Sequence, residues 1–297
     1  MQWKFYVKPD NGAAVALCMT AMLSATGAHA FVAISSGATA NMSCSNGVCK
    51  PTAKTAILNV GDLEGFLASG NVTVTTTGSG VQANDIHISS ALWWASSGTL
   101  SLEANRSIAI NAAASITGLS GLTLDTGKHG ALSFGKKGNA TFANLSSQLT
   151  INGSAYTLAG DIKSLASDIA TSPGGNFALA NNYDASGDGT YTFPPITTVF
   201  TGTVEGLGNA ISNFSIDGGT FINGELLEGL FAEVGTNGLV EDIGLVNANV
   251  ICSLRTRKIV LVASLVALNY GTVHSSYATG AVQDQKPSPY LGGLVGV

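Results

Sequence analysis

The chain has 297 residues, of which 45% are hydrophobic and only 10% charged, with 37 glycines and a formal net charge of −5. The hydrophobic content is enough for one large core or two ordinary ones, so composition argues against a disordered chain. The 13 Lys and Arg residues form no basic stripe. This argues against nucleic-acid binding, which depends on neutralising phosphates.

The first thirty residues have the pattern of a secretory signal. Lys4 and Lys8 precede the apolar run AAVALCMTAMLSATGA, and Ala28-His29-Ala30 has the small-x-small form of a cleavage site. The apolar run is shorter than the roughly 20 residues that a membrane-spanning helix needs. We therefore predict a signal peptide over residues 1–30 rather than an N-terminal membrane anchor.

Three cysteines follow the predicted cleavage site. Cys44 and Cys49 in CSNGVC could close a small disulfide loop, which the chain-entropy model values at about 2 kcal/mol, and the alternative is two free thiols. A zinc site would need a second cysteine pair, which the sequence lacks. Cys252 is expected to be a small, buried hydrophobic residue.

A first predicted helix lies in DLEGFLASG. Leu63, Phe66 and Leu67 have helical spacing there, Asp62 is the expected N-cap, and Gly70 is the expected terminator. We expect this helix to cover the open end of the fold.

Residues 71–160 contain short alternating apolar segments separated by Gly, Asn and Ser, which is typical of strands. Three apolar pairs recur at an offset of 22 residues: Ile86/Ile88 at Ile108/Ile110, Leu100/Leu102 at Leu122/Leu124, and Ile110/Ala112 at Leu132/Phe134. A fixed offset favours a β-solenoid over a β-sandwich. The scarcity of charge agrees, because strands stacked about 4.8 Å apart would bring repeated like charges together.

A second predicted helix lies in DIKSLASDIATSPGG. Ile162, Leu165 and Ile169 occupy one face, Asp161 is the expected N-cap, and the Pro-Gly-Gly at 173–175 ends the helix. We expect this helix at a junction between two β segments.

The segment DASGDG offers oxygen ligands in the manner of a calcium loop. Asp184, Ser186 and Asp188 would begin an EF-type loop, but its twelfth position is Pro195. A plain Asp/Gly turn is the preferred interpretation.

Catalytic signatures are sparse. His87, His129 and His274 are far apart in sequence, and none lies in a zinc-ligand spacing. A polysaccharide lyase or hydrolase would need paired carboxylates on neighbouring strands, for which Asp184, Asp188 and Asp217 are the candidates. We therefore predict no catalytic, metal or cofactor-binding residue and no cofactor.

The apolar run IVLVASLVAL, from Ile259 to Leu268, is too short to cross a membrane as a helix. We predict a strand buried on both faces, and no stable membrane span once the signal is removed.

The C-terminal part aligns on itself. The segments are LFAEVGTNGLVEDIGLVNANV from Leu230, LVALNYGTVHSSYATGAV from Leu265, and LVGV from Leu294. The alignment matches Gly238 with Gly271, Val240 with Val273 and Ala248 with Ala281. Because Val273 and Tyr277 share one face at period two, Tyr277 is expected to pack in the core.

These repeats resemble the GLUG motif. The predicted structural repeat residues are Asn269, Gly271, Val273, Tyr277, Gly280, Gly292, Gly293 and Gly296. The preceding NFALANNYDASG and FTGTVEGLGNAISNFSIDG resemble the segment before GLUG repeats in filamentous-haemagglutinin-like secreted adhesins. The resemblance covers roughly residues 56–297. It implies a right-handed parallel β-helix, export to the bacterial surface, an adhesive role and an outer-membrane secretion partner. No Asn-Pro-Asn-Gly-type secretion motif follows the signal.

We therefore predict an all-β chain, a right-handed parallel β-helix (β-solenoid) with short helical interruptions. The predicted segments are a signal peptide (1–30), an N-terminal cap (31–70), a β-helix segment (71–160), a helical junction (161–175), a second β-helix segment (176–228) and GLUG-type repeats (229–297). The expected function is that of a non-enzymatic adhesin, secreted or at the bacterial cell surface, that attaches to surfaces, cells, or host or surface glycans and proteins. The alternative is a β-helical polysaccharide lyase or hydrolase. Because the sequence stops within its third repeat, we also expect a truncated array that self-associates end to end.

Overall fold

The computed structural model describes residues 30–254, 258–284 and 290–297, so the predicted signal peptide, apart from Ala30, lies outside the described residues. Within these ranges the chain is mostly β-strand with two α-helices, which confirms the all-β class. No helix in these ranges is long and apolar enough to cross a membrane.

The first half consists of short strands and one helix. They are β1 Phe31–Ser35, β2 Met42–Ser45, β3 Val48–Pro51, β4 Thr55–Asn59, α1 Val60–Ser69, β5 Val72–Thr75, β6 Thr77–Gly78, β7 Val81–Gln82, β8 Asp85–Ile88, β9 Leu92–Trp94, β10 Leu100–Glu103, β11 Ile108–Ile110, β12 Ala113–Ile116, β13 Gly121–Asp125, β14 Leu132–Phe134, β15 Asn139–Phe142, β16 Gln148–Ile151 and β17 Ser154–Ala159.

The second half begins with the other α-helix and contains one 3₁₀ turn, at Ala185–Asp188. Its elements are α2 Ile162–Thr171, β18 Asn176–Leu179, β19 Tyr183–Asp184, β20 Thr190–Tyr191, β21 Thr203–Glu205, β22 Ala210–Ser212, β23 Ser215–Ile216, β24 Thr220–Ile222, β25 Glu225–Glu228, β26 Phe231–Val234, β27 Leu239–Glu241, β28 Gly244–Cys252, β29 Val260–Ala263, β30 Val266–Asn269, β31 Thr272–His274, β32 Tyr277–Asp284 and β33 Tyr290–Gly292.

Most strands pair in parallel with strands far away in sequence. The sheet orders are β2-β3-β5-β10-β13-β16-β17-β18-β21-β27-β31, β14-β11-β8-β1-β4, β15-β12-β9, β19-β22-β28-β23-β20 with β32 on β28, β24-β25-β29-β33, β26-β30 and β6-β7. The antiparallel pairs are β2-β3, β6-β7, β16-β17 and β24-β25. Parallel neighbours must be joined by long connections, so each sheet collects strands from many parts of the chain.

Strand register tests the predicted offset of 22 residues. Ile86 pairs with Ile108 and Leu100 pairs with Leu122, which confirms the first two offsets. The third was wrong, because β11 and β14 pair at an offset of 24. The turn between β13 and β14 is two residues longer than the preceding one. It contains a local hydrogen bond from Gly130 N to Gly127 O.

Alternating inward side chains fill two principal core clusters. The first is formed mainly by residues 30–158, and the second begins at Ala159 and continues into the C-terminal strands. In the second cluster the rings of Phe177, Phe200 and Phe231 follow one another, with centroids 6.3 and 5.9 Å apart. Tilted aromatic rings at this spacing attract one another beyond the area they bury.

Helix α2 is as predicted. Asp161 accepts a hydrogen bond from Ser164 N in a capping box, while Ile162, Leu165 and Ile169 are buried.

Helix α1 differs from the prediction in its cap. Asn59, not Asp62, is the N-cap, because its side chain accepts from Gly61 N and Asp62 N. Asp62 lies in the first helical turn. Phe66 is 42% exposed, so only Leu63 and Leu67 of the predicted apolar face are buried. The helix contacts β4, β5 and β9.

The Ile259–Leu268 run forms two strands, β29 and β30, rather than the single strand predicted. The chain turns between them at Ser264 and Leu265, which lets each strand join a different sheet. Every described residue of the run except Ile259 is buried.

Candidate functional site

The repeat residue Gly271 belongs to a column of four glycines, Gly175, Gly202, Gly238 and Gly271. Each directly precedes a strand of the eleven-stranded sheet, and the registers of β18, β21, β27 and β31 align them. A Cβ on any of the last three would lie within 3.0 Å of a backbone oxygen of the preceding connection. This glycine column therefore requires the absence of a side chain.

The other repeat glycines differ in how tightly they are packed. Gly280 has a φ of 128° and lies against the backbone of Ala248, while a Cβ on Gly292 or Gly296 would meet backbone oxygens. Gly293 has no neighbour within 4 Å of such a Cβ. The predicted match of Ala248 with Ala281 was wrong by one residue, because β28 and β32 shift register between Leu245 and Ala248.

The remaining repeat residues lie around the next turn. The Asn269 side chain accepts from Gly271 N at 3.2 Å, which closes the turn before β31. Val273 is half-buried against the second core cluster and pairs with Val240, as the self-alignment predicted.

Tyr277 is on the outer surface, so its predicted core position was wrong. Its side chain is 51% exposed, and Ser275 before it has a φ of 46°. A left-handed residue interrupts the alternation of a strand, so counting by twos from Val273 fails. Tyr277 instead pairs with Gly244, and its ring occupies the space that a Cβ on Gly244 would need.

A polar ladder runs across three successive strands or turns of the second half. Asn247 Nδ2 donates to Asn213 Oδ1 at 2.7 Å, and Asn213 Nδ2 donates to Asp184 Oδ1 at 2.8 Å. Both asparagines have positive φ. The hydrogen bond from Asn213 is the main reason that the pKa of Asp184 is lowered.

The other carboxylates considered from sequence also have partners. Asp188 accepts from Tyr191 Oη at 2.8 Å and contacts Lys163 Nζ at 3.1 Å, while Asp217 accepts from Ser253 N and Oγ, both at 3.0 Å. These contacts agree with a plain turn at 184–189. They tie Asp188 and Asp217 to separate partners rather than to one another.

The structure instead brings together three carboxylates that sequence analysis missed. Two of these carboxylates, Glu205 on β21 and Glu241 on β27, are in register with each other and with His274 on β31. Glu205, Glu241 and Asp242 each offer an oxygen within 4.8 Å of the others, and we call these three residues the acidic cluster. The sequence signal was available, since each in-register residue directly follows an aligned valine, at 204, 240 and 273.

Burial dominates the electrostatics of the acidic cluster. Glu205 is 2% exposed and accepts from Leu207 N at 2.8 Å. Burial, with Asp242 nearby, raises the pKa of Glu205 well above its usual value. Burial and the charge of Glu241 raise the pKa of Asp242 to about 6, although His274 acts to lower it. Burial is the main cause that raises the pKa of Tyr156 to about 12, and the charges of Glu205 and Glu241 add to it. One carboxyl that stays protonated beside another that ionises can serve as an acid and base pair.

The three-stranded sheet β15-β12-β9 presents a different kind of surface. Trp93, Ser115 and Thr141 are in register and point outward between buried neighbours. Trp93 is 59% exposed, and Thr141 Oγ1 donates to Ser115 Oγ at 3.3 Å. We call these three residues the Trp93 column.

A disulfide joins Cys44 and Cys49 across the β2-β3 hairpin, and Cys252 is buried in the second core cluster. The hairpin, with Phe66 and the end of α1, borders a cavity of about 310 Å³.

Comparison with known proteins gives a partial similarity. No family model matches the chain, and no solved structure matches it. The chain is similar to Halomucin from Haloquadratum walsbyi, with 35% identity over 136 residues. The aligned part covers 43% of this chain and 1% of Halomucin.

Proposed function

We propose that the chain is an exported, non-enzymatic adhesin whose sheets are the faces of a right-handed parallel β-helix. Support for this architecture comes from parallel registers that connect strands of successive coils, such as β5-β10-β13-β16 and β18-β21-β27-β31. The antiparallel hairpins are departures from a uniform β-helix. Support for a location outside the cell comes from the predicted signal peptide, and the similarity to Halomucin, which is named as a mucin, is consistent with it.

The observation that carries the adhesive function is a row of hydroxyl groups on the outer surface. Thr73, Ser101, Thr123 and Thr150 are in register on four parallel strands, between buried neighbours. Hydroxyl groups both donate and accept hydrogen bonds. A row of them repeated every 4.8 Å or so matches the hydroxyl groups of a glycan.

The direct test is attachment by the mature chain. We expect saturable binding to a glycan array and to cells that carry the recognised glycans, without release of new reducing ends. An absence of saturable binding to glycans, cells and surfaces would contradict the adhesive function.

The acidic cluster favours a second candidate, a β-helical polysaccharide lyase or hydrolase. Paired carboxylates on adjacent strands are what such chemistry uses, and Glu205 and Glu241 are in that arrangement. The test is to follow reducing ends during incubation with pectic and other acidic polysaccharides. Turnover that is lost in Glu241→Gln but kept in Asp184→Asn would establish the enzyme and overturn the non-enzymatic function.

A further inference from the structure

Trp93 and Trp94 are neighbours in sequence with opposite environments. Trp94 is 3% exposed and its indole Nε1 donates to Gly98 O at 3.0 Å. Trp93 is 59% exposed on the outer face of the edge strand β9. A buried tryptophan with its N–H satisfied needs no further explanation, whereas an indole face left open to water has a large apolar area available for a ligand.

A groove lies beside Trp93, between β9 and helix α1. It has a volume of about 280 Å³, and its lining includes Glu64, Ala68, Trp93 and Ser96. Glu64 Oε1 accepts from the backbone N of Trp93 at 3.0 Å, and Ser96 Oγ donates to Leu67 O at 2.6 Å. These two bonds attach the helix to the edge strand, so they fix the position of the Glu64 carboxylate relative to the Trp93 indole.

Hydrogen-bonding groups flank the indole on both sides. Within the described part of the chain, Glu64 Oε2 makes no hydrogen bond, so it can accept from a ligand. On the other side, Ser115 and Thr141 continue the column, at about one and two strand spacings of 4.8 Å from Trp93. An apolar plate between a carboxylate and a pair of hydroxyls is the pattern of a site for a ligand with one apolar face and a polar rim.

We propose that Trp93 is the stacking platform of a binding site for a neutral sugar ring. The C–H face of one sugar ring lies on the indole, where one of its hydroxyls donates to Glu64 and another bonds to Ser115, while the next ring of an oligosaccharide reaches Thr141. The proposal rests on the adhesive function and names its ligand class and site. The ligand is neutral because Glu64 would repel a carboxylate-bearing sugar, and among the described residues no Lys or Arg lines this groove to pair with one.

The test uses the natural tryptophans of the mature chain as reporters. After removal of the predicted signal, Trp93 and Trp94 are the only two tryptophans in the sequence. We titrate the chain with neutral oligosaccharides built from glucose, mannose, galactose and N-acetylglucosamine. We expect a shift of emission to shorter wavelength and protection from acrylamide quenching, since the exposed indole becomes covered. In Trp94→Phe the response should remain.

Variants locate the site. Because Trp93→Ala removes the fluorescent reporter, binding by the variants is measured by isothermal titration calorimetry. Trp93→Ala should weaken binding at least tenfold, a loss of about 1.4 kcal/mol, while Phe221→Ala, an aromatic residue 57% exposed on β24, should leave it unchanged. Glu64→Gln should bind acidic oligosaccharides better than the parent chain does. Far-ultraviolet circular dichroism checks that each variant is folded.

The outcomes separate this site from the adhesive function. Glycan binding that Trp93→Ala leaves intact overturns the site and keeps the adhesive function. Absence of binding to any glycan, cell or surface overturns both. Trp93 also has the chemistry to attract an organic cation, so a response to choline that exceeds the response to every neutral sugar overturns the ligand class.

Discussion

At the scale of single residues, the predicted repeat residues determine how closely neighbouring strands pack at the points where the strands begin. A glycine leaves room for the backbone of the next strand, whereas Tyr277 fills such a space. Gly271 stacks on the preceding strand's connection, where a Cβ would collide with backbone oxygens. Tyr277 does the opposite and fills the space above Gly244. A ring over a glycine protects a backbone segment that has no side chain of its own.

Two glycine substitutions test this difference. Gly271→Ala should lower the free energy of unfolding by roughly 2–3 kcal/mol, because a rigid backbone must move to admit the Cβ. Gly293→Ala, where nothing lies within 4 Å of the new atom, should change it by less than about 0.5 kcal/mol. Chemical denaturation measures both. Equal losses would show that the glycine column is not a packing requirement.

A charge substitution tests the acidic cluster. The raised pKa of Glu205 means that the native chain binds its proton more tightly than the unfolded chain does. The resulting stability is fully present below the unfolded pKa, near 4.5, and is lost as the pH rises through the native value. Asp242, whose pKa is raised from its ordinary value of 3.8 to about 6, adds a contribution of the same sign over that range. Glu205→Gln, which still accepts from Leu207 N, should therefore be more stable than the parent chain at pH 8.

The comparison is made by denaturation at pH 4 and pH 8. The advantage of Glu205→Gln should shrink toward pH 4, where the parent carboxyl is protonated. An advantage for Glu205→Gln that is the same at both pH values would mean that burial of charge is not the cause.

At the scale of elements, one column of polar side chains links successive strands without repeating a charge. The ladder Asp184-Asn213-Asn247 contains a single carboxylate, which accepts from the amide beside it. This arrangement gives a physical reason for the low charged fraction of the chain. Like charges facing each other across strands are destabilising, whereas amides bond to one another.

Placing a second charge in the ladder tests that reason. Asn213→Asp replaces a donor with a carboxylate facing Asp184. The pKa of Asp184, now lowered mainly by the Asn213 hydrogen bond, should rise, and the melting temperature should fall at pH 7 and recover near pH 3. NMR titration of the carboxyl carbons measures the pKa directly.

Asn152→Asp provides the control. Asn152 also has positive φ, but its Oδ1 only accepts, from Thr126 N and Oγ1. An aspartate serves equally well there. A similar loss of stability in both variants at pH 7 would contradict the charge argument.

The elements also show what sequence patterns can predict. Interior strands such as β8 and β11 were predictable because their isoleucines occupy every second position and recur at a constant offset. The offset failed at β14, where the turn is two residues longer. The edge strand β9 was missed because its outward residue, Trp93, is as apolar as its buried neighbours Leu92 and Trp94, so the segment shows no alternation.

The site was less predictable than the fold. Glu205 and Glu241 approach because the chain returns to the same sheet at an offset of 36 residues, and only the register reveals this. Tyr277 was misplaced because one left-handed residue, Ser275, reverses the alternation. Single backbone angles of this kind are not encoded in hydrophobic periodicity.

At the scale of the whole molecule, one buried amide joins the two principal core clusters. Asn209 is 1% exposed, and its Nδ2 donates to Ala140 O at 2.8 Å and Leu179 O at 3.0 Å. Its Oδ1 accepts from Asn139 at 2.9 Å. Ala140 belongs to the first cluster and Leu179 to the second. The bonds to Asn139 and Ala140 span 70 and 69 residues of sequence, and the bond to Leu179 spans 30.

Removing this amide should uncouple the two clusters. Asn209→Ala loses three buried hydrogen bonds, which should cost roughly 2 kcal/mol or more. We expect calorimetry to show one cooperative transition in the parent chain and two in the variant, because the clusters then unfold separately. Asn176→Ala, whose amide makes a surface bond to Ala155 O, is the control and should keep one transition. A single transition in Asn209→Ala would show that the clusters are coupled elsewhere.

The glycine column has a consequence for protein engineering. Its members, at 175, 202, 238 and 271, are separated by unequal lengths of chain and still stack. The longest interval contains the β24-β25 hairpin, whose tip is Asn223-Gly224 with nothing packed on the glycine. In this interval extra length lies in a hairpin rather than at the strand junctions. A foreign peptide epitope inserted at residues 223–224 should be displayed on the surface while the column keeps every neighbouring strand in register.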